Sequence, residues 1–401
     1  MQLSSSKTLT LRQLILPLYL PTFLLSIAQS TMIPILPLFA DSFQVGYSWI
    51  GIALAGEGIG MLLGDLPAGM SLRKLGARKT MLSGVMVWGI CTLLLYWANH
   101  IVWVFALQVI GGFGFSFYGV SRLLMISEKL PSSLRGQAVA LIGGVFRMGR
   151  VVGPIAAGLL AVHFQLRSGF IFFFLVVILS FLVLRLFMPE IYPESNPSMK
   201  NPIGTMLKGH TSILLRGGSG QFILSLLRNG PRVIIPLYGA NVLGLGVEQI
   251  GGILSIAALL DMALFLPAGW IMDNFGRKFS VIPSVAFLGV SLLLIPFTSS
   301  YSGLLLVALI GGAGNGISAG LIMTMGADFA PPAYRGEFLG VWRFIGDSGS
   351  TTSPLILGAL ADLISLQQTS FVMSGFSVVG VFLFALMVPE TLRNPIWHRR
   401  R

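Results

Sequence analysis

The sequence is short of charge. Of its 401 residues only 10% are Asp, Glu, Lys or Arg, against about 25% in a soluble globular domain. A water-facing surface for a chain this long needs more than that, so soluble enzymes and soluble nucleic-acid binders are excluded. Cysteine is almost missing. The single Cys91 forms no internal disulfide and excludes a disulfide framework or a multi-cysteine metal site. The four histidines (His100, His163, His210, His398) have no zinc spacing, and no metal is expected. There is no Gly-x-x-x-x-Gly-Lys-Ser/Thr run, so ATP is not a visible energy source. The run GGAGNG (311–316) has no preceding strand to make it a dinucleotide loop. No nucleophile–base arrangement stands out, so no catalytic residue, cofactor or enzymatic activity is assigned.

What the chain has is long apolar runs, 54% of it being hydrophobic. Nearly charge-free stretches of at least about 18 residues read as membrane-spanning helices. Twelve are expected: 13–40, 47–72, 80–98, 101–127, 136–162, 168–188, 217–240, 247–272, 279–298, 302–327, 336–363 and 368–388. A membrane β-barrel is excluded because runs such as Leu304–Ile310 do not alternate. Almost all loop Lys and Arg fall on the side that carries both termini, among them Arg73, Lys74, Lys129, Arg135, Arg216, Arg277 and Lys278, whereas Arg167 is nearly alone on the other. By the positive-inside rule both termini are cytoplasmic, and the basic net charge of +12 is mostly a topology signal. A multi-pass protein of the plasma or inner membrane follows, surrounded by lipid, with no nucleic-acid partner. The first apolar run is too long for a cleavable signal peptide.

The two halves repeat at an offset of 200. Gly69 answers Gly269, Gly76 answers Gly276, and IGGFG (110–114) answers IGGAG (310–314). Gly149, Pro154 and Gly158 answer Gly349, Pro354 and Gly358; Pro189-Glu190 answers Pro389-Glu390. These residues dictate backbone shape. Two parallel six-helix bundles are therefore expected, 1–188 and 217–401, joined by a polar, proline-rich linker over 189–216.

With these residues in hand, the chain resembles the major facilitator superfamily over essentially its whole length. The loop GWIMDNFGRK is similar to that family's signature, with Gly269, Asp273, Gly276, Arg277 and Lys278 in register. GRVVGPIAAG (149–158) resembles the Gly-x-x-x-Gly-Pro motif of the twelve-span drug:proton antiporter branch. The first repeat departs from the signature at Arg73, where Asp is expected, and at Ala77; Gln108 stands where the antiporter branch places a basic residue. The resemblance implies that Asp273 latches the cytoplasmic side in one state. Physically, Gly149 and Gly153 make a face that a neighbouring helix can approach closely, and Pro154 bends their helix.

Ionisable groups inside spans are costly and mark function. Glu57, Arg147, Arg150, Arg228, Arg232, Asp261 and Asp347 fall near the midplane, with Arg343 a turn from Asp347. The resemblance implies that spans 2, 5, 7, 8 and 11, which carry them, line a cavity, and that the nearly charge-free spans 3, 6, 9 and 12 lie outside it. Arg228 and Arg232 share a helix face, and Arg343 and Asp347 are spaced to pair with each other. The excess of Arg147, Arg150, Arg228 and Arg232 over acids suits an anionic ligand. Glu57 and Asp261, with no base within a turn, suit proton coupling, while Arg122 is read as snorkelling. The chain is thus expected to be a monomeric secondary transporter. It would exchange protons for a small amphiphilic anion or zwitterion by alternating access, in the efflux direction. A cationic-drug antiporter and a flippase for a lipid or lipid-linked solute are the alternatives.

Overall fold

The computed structural model describes residues 10–193 and 202–392. The middle of the expected linker and the two basic ends lie outside the described residues. Within them all regular structure is helical. A 3₁₀ turn (Leu11–Leu14) and a π turn (Ile15–Tyr19) lead into α1 (Leu20–Asp41), which is followed by α2 (Tyr47–Leu94), α3 (Ile101–Lys129), α4 (Ser132–His163) and α5 (Ser168–Phe187). Past the linker come α6 (Pro202–Asn241), α7 (Val247–Asn274), α8 (Lys278–Leu294), α9 (Tyr301–Ile317), α10 (Leu321–Phe329), α11 (Arg335–Leu363) and α12 (Leu366–Phe382).

Nine helical stretches among the described residues are long and apolar enough to cross a membrane. The twelve expected spans differ from these nine at three places. The stretch Tyr47–Trp97 runs 51 residues, far more than one crossing needs. It is two helices joined at Gly76 (φ 80°, ψ 168°). α6 and α11 lie over the seventh and eleventh expected spans and are not among the nine; α6 carries Arg228 and Arg232, and α11 carries Arg343, Asp347 and the polar run 348–353. The expected linker is helical from Pro202 onward, with a break in the helix at His210 (φ −128°, ψ 15°).

The tenth span, read as one helix, is interrupted. α9 ends at Ile317, Gly320 adopts φ +77°, and α10 starts afresh at Leu321. Only glycine takes that left-handed conformation without strain. The equivalent α3 runs unbroken from Ile101 to Lys129, because Val120 stands at the place of Gly320.

Local chemistry explains several helix starts. The His100 ring accepts from Val102 N, and the hydroxyls of Ser300 and Ser365 accept from the N–H groups of Gly303 and Gln368. Each satisfies a donor that the first turn leaves orphaned. Gly76 and Gly276 both have positive φ, 80° and 125°. A side chain on either would meet the carboxylate of Glu190 or Glu390, at 2.5 and 2.7 Å.

The chain clusters into two compact units. One holds the described residues up to Ile35 and from Gly56 to the linker; the other holds Leu36–Ala55 and the described residues beyond the linker. In the first unit the core gathers on Trp88, whose indole meets Phe115 and, edge-on, Phe173 at ring distances of 4.4 and 4.8 Å. Contacts recur at the repeat offset within the units: Gly112 abuts the Glu57 carbonyl, and Gly312 abuts that of Ala257. Without these glycines α3 could not approach α2, nor α9 approach α7, so closely.

Candidate functional site

In the first unit, the carboxylate of Glu57 is positioned by a glycine seam. Gly56 and Gly60 on α2 face Gln108 and Val109 on α3, and Gly112 closes over the Glu57 backbone. Its side chain is half-buried and accepts a hydrogen bond from Gln29 Nε2 of α1 at 3.2 Å. One carboxylate oxygen is thus fixed by a neutral donor, an arrangement that either protonation state can keep. Arg147 and Arg150 on α4 are also half-buried, and Arg147 Nη1 donates to the Gly143 carbonyl a turn earlier, at 3.1 Å.

Two residues of this unit depart from expectation or escaped it. Arg122 does not extend to the surface. It is half-buried with its guanidinium over the rings of Tyr118 and Phe146, 5.4 and 5.1 Å from their centroids. The Tyr118 hydroxyl is itself held by Thr22 at 2.7 Å. The cation–π contacts keep the arginine inside. Asp65, two turns beyond Glu57 on α2, lies further from the midplane than the charges that the sequence singles out. Its Oδ1 is buried with no hydrogen-bond partner. The available signal was the acid itself, inside the second expected span.

Gly149 and Gly153 do make a close approach, and their partner is α1. A side chain at Gly149 would strike Ser26, and one at Gly153 would lie 2.6 Å from Ser30 Cβ. Ser26 seals the seam by donating to the Phe146 carbonyl at 2.8 Å. Pro154 lies inside α4, one residue past that seam. Gly69 and Gly269 face open space.

In the second unit Arg228 spans a gap that the sequence does not reveal. Its Nη2 donates to the carbonyls of Ser318 and Asn315, at 2.8 and 3.3 Å, and to Ser318 Oγ at 2.6 Å. These oxygens terminate α9, so the cation sits at the negative end of the interrupted helix. Ser284 Oγ on α8 joins Ser318 Oγ at 2.7 Å. Arg232, one turn on from Arg228, is half-buried. Arg343 and Asp347 form the ion pair their spacing suggests, Nε to Oδ2 at 3.1 Å. Asp261 is buried on α7, with Gly316 of α9 against its backbone.

The signature loop organises the end of this unit. Arg277 lies between Asp273 (3.0 Å) and Asp328 (3.1 Å) and also donates to the Met272 carbonyl. Asp273 is largely exposed and pairs with this arginine. Glu390 accepts the N–H groups of Arg277 and Lys278, each at 2.9 Å. The Lys278 ammonium donates to the Ala385 carbonyl. Among the described residues no group of three or more His, Cys, Asp or Glu is placed to hold a metal ion.

The family model of the Major Facilitator Superfamily matches residues 18–216 and again 217–400. The multidrug resistance protein MdtG of Escherichia fergusonii is 25% identical over 372 residues, 86% of this chain and 86% of that one. Among solved structures, the nucleoside transporter NupG has a TM-score of 0.77 at 14% identity, covering 95% of this chain and 100% of its own. The human organic anion transporter TETRAN has a TM-score of 0.70 at 19% identity, covering 94% and 100%. The double match of the family model follows the duplication read at the 200-residue offset. The chain is a multi-pass integral membrane transporter, not an enzyme, and it belongs to the major facilitator superfamily.

Proposed function

We propose that this transporter exports a small amphiphilic organic anion or zwitterion in exchange for protons, by secondary active, alternating-access transport. The observation that carries the reading is the set of half-buried charges deep within helices. Arg343 and Asp347 neutralise each other. Of the rest near the midplane, Arg147, Arg150, Arg228 and Arg232 stand against Glu57 and Asp261. That balance is net positive and attracts an anionic headgroup, which guanidinium groups can bind bidentately. Glu57, fixed by a neutral amide, suits reversible protonation, and Asp261 supplies a second carboxyl.

The proposal includes twelve crossings in two six-helix bundles, 1–188 and 217–401, with the 189–216 linker and both termini in the cytoplasm. It also takes the protein to be a monomer of the plasma or inner membrane. Gly69, Gly76, Gly269, Asp273, Gly276, Arg277 and Lys278 shape the loops that move in the cycle, and Gly149, Gly153 and Pro154 shape the fifth crossing. MdtG, named for multidrug resistance, supports efflux as the direction. Its name also favours a second reading, export of lipophilic cations neutralised by Glu57 and Asp261.

Thermal stabilisation of the purified protein separates the two, since any ligand of the folded state raises stability by mass action. A panel divided between organic anions and lipophilic cations is tested at acidic and alkaline pH. Stabilisation by anions that disappears in Arg232→Gln supports the first reading. Stabilisation by cations, strongest at alkaline pH and lost in Glu57→Gln, replaces it with the second.

A further inference from the structure

The second compact unit takes in a segment from the first sequence repeat. Leu36–Ala55, the end of α1 and the first turns of α2, cluster with the chain beyond the linker. One side chain explains how. Asp362, in the last turn of α11, accepts the N–H of Tyr47 at 2.7 Å through Oδ1 and the N–H of Ser48 at 2.8 Å through Oδ2. Both carboxylate oxygens therefore engage the first turn of α2, where orphaned donors and the helix dipole favour a negative charge.

Three glycines make the approach possible. A side chain at Gly46 would lie 2.9 Å from Asp362 Oδ2, one at Gly51 would strike the Pro354 carbonyl, and one at Gly358 would strike the Tyr47 carbonyl. The arrangement has no copy at the repeat offset. α7 supplies its own acid in its first turn, Glu248, and Gln249 accepts the Gly246 N–H at 3.1 Å. Ser48 and Trp49 stand at those positions in α2, and Val162 stands where Asp362 would be needed. α2 has no acidic residue in its first turn, and its charge comes from a residue 314 positions away.

From this we infer that Asp362 is a positioning residue, a reversible latch that holds the start of α2 against the end of α11 at the membrane face opposite the chain termini. The inference rests on the alternating-access reading, in which that face opens and closes once per cycle. Asp362 is exposed, which suits a latch: water solvates the carboxylate when it lets go, so release carries no buried-charge penalty. The glycine seam aligns the two helices so that the carboxylate meets both N–H groups again on closing.

The test uses the full-length protein with Ala55→Cys as a reporter. Ala55 is 1% exposed and one helical turn beyond Gly51. An impermeant maleimide is applied to the purified protein, and the rate is compared with a control that carries only the native, buried Cys91. Adding Asp362→Asn keeps the shape and removes the charge. Labelling at position 55 should accelerate roughly five- to tenfold, which corresponds to about 1 kcal/mol, the extra worth of hydrogen bonds to a charged acceptor over neutral ones. Tyr47→Pro removes one of the two donors at a helix position that tolerates proline, and should accelerate labelling by a smaller factor. An unchanged rate in Asp362→Asn overturns the latch. Acceleration in Asp362→Asn but not in Tyr47→Pro also overturns it, because Asp362 would then act through something other than the helix terminus. If Asp362→Asn does not fold, the Tyr47→Pro rate alone decides. Solute flux in vesicles is read separately. Accelerated labelling in a protein that moves solute without exposing the two faces in turn would leave the latch standing and remove alternating access.

Discussion

Arg228 donates to the carbonyl of Ser318 at 2.8 Å, so a residue expected to greet substrate spends at least one of its amino groups on the protein's own backbone. The carbonyls it meets terminate α9, at a break that Gly320 creates with its positive φ. Many secondary transporters use discontinuous helices to present backbone groups for function, and the freed carbonyls need a partner.

The two arginines of α6 should therefore behave differently. Arg228→Gln leaves the α9 terminus short of a charged donor and should cost about 1–3 kcal/mol, seen as a lower melting temperature without any ligand. Arg232→Gln should leave the unliganded melting temperature nearly unchanged and remove stabilisation by organic anions. Equal melting temperatures for the two variants would show that Arg228 does not support the break.

The family-signature glycines should also divide. Gly149 has Ser26 in the place of a side chain, so Gly149→Ala forces α1 and α4 apart. A loss of about 1–3 kcal/mol is expected, as for other overpacked seams. Gly69 has nothing within 4 Å, and Gly69→Ala should stabilise its helix by up to about 1 kcal/mol. Should Gly69→Ala nevertheless abolish transport in a stable protein, its role lies in a conformation other than this one. Melting curves beside vesicle flux separate the cases.

Most of the fold was legible because hydropathy and glycine placement report directly on it. A lipid-spanning helix must be apolar along its length, and Gly76 and Gly276 must be glycine because their φ is positive. The Arg343–Asp347 pair was readable from its spacing. Three features were not. Gly320 is one of 49 glycines, and nothing local marks it as the one that interrupts a span. The partners of Arg228 lie about 90 residues away, and the helix that Asp362 serves is more than 300 away. A helix cap supplied from such a distance has no sequence signature, whereas Ser300 and Ser365 cap their own helices and have one.

The two copies of the Pro-Glu pair should be unequal in weight. Glu390 accepts four backbone N–H groups, those of Arg277, Lys278, Thr391 and Leu392. In the first repeat the N–H of Ala77 goes instead to the Ile191 carbonyl, at 2.7 Å. Glu390→Ala should thus cost about 1–3 kcal/mol and Glu190→Ala clearly less. Denaturation of the two variants side by side would expose equal costs if the Ile191 carbonyl is not the substitute it resembles.

Glu57 and Asp65 stand two turns apart on α2, in opposite circumstances. Glu57 has Gln29 as a donor at 3.2 Å, and Gln at position 57 would keep an oxygen to accept that bond. Glu57→Gln should consequently fold with a melting temperature close to the parent and lose solute flux driven by a proton gradient in vesicles. Downhill flux without a gradient should survive, because the variant lacks only the titrating group. Asp65 has a buried oxygen with no partner, which is costly for a charged group. Asp65→Asn removes the charge, so it should raise the melting temperature and leave gradient-driven flux in place. If Asp65→Asn instead uncouples transport while Glu57→Gln remains coupled, the proton is carried by Asp65 and the assignment of Glu57 fails. A buried carboxylate oxygen kept without a partner would then have its explanation in the proton it binds.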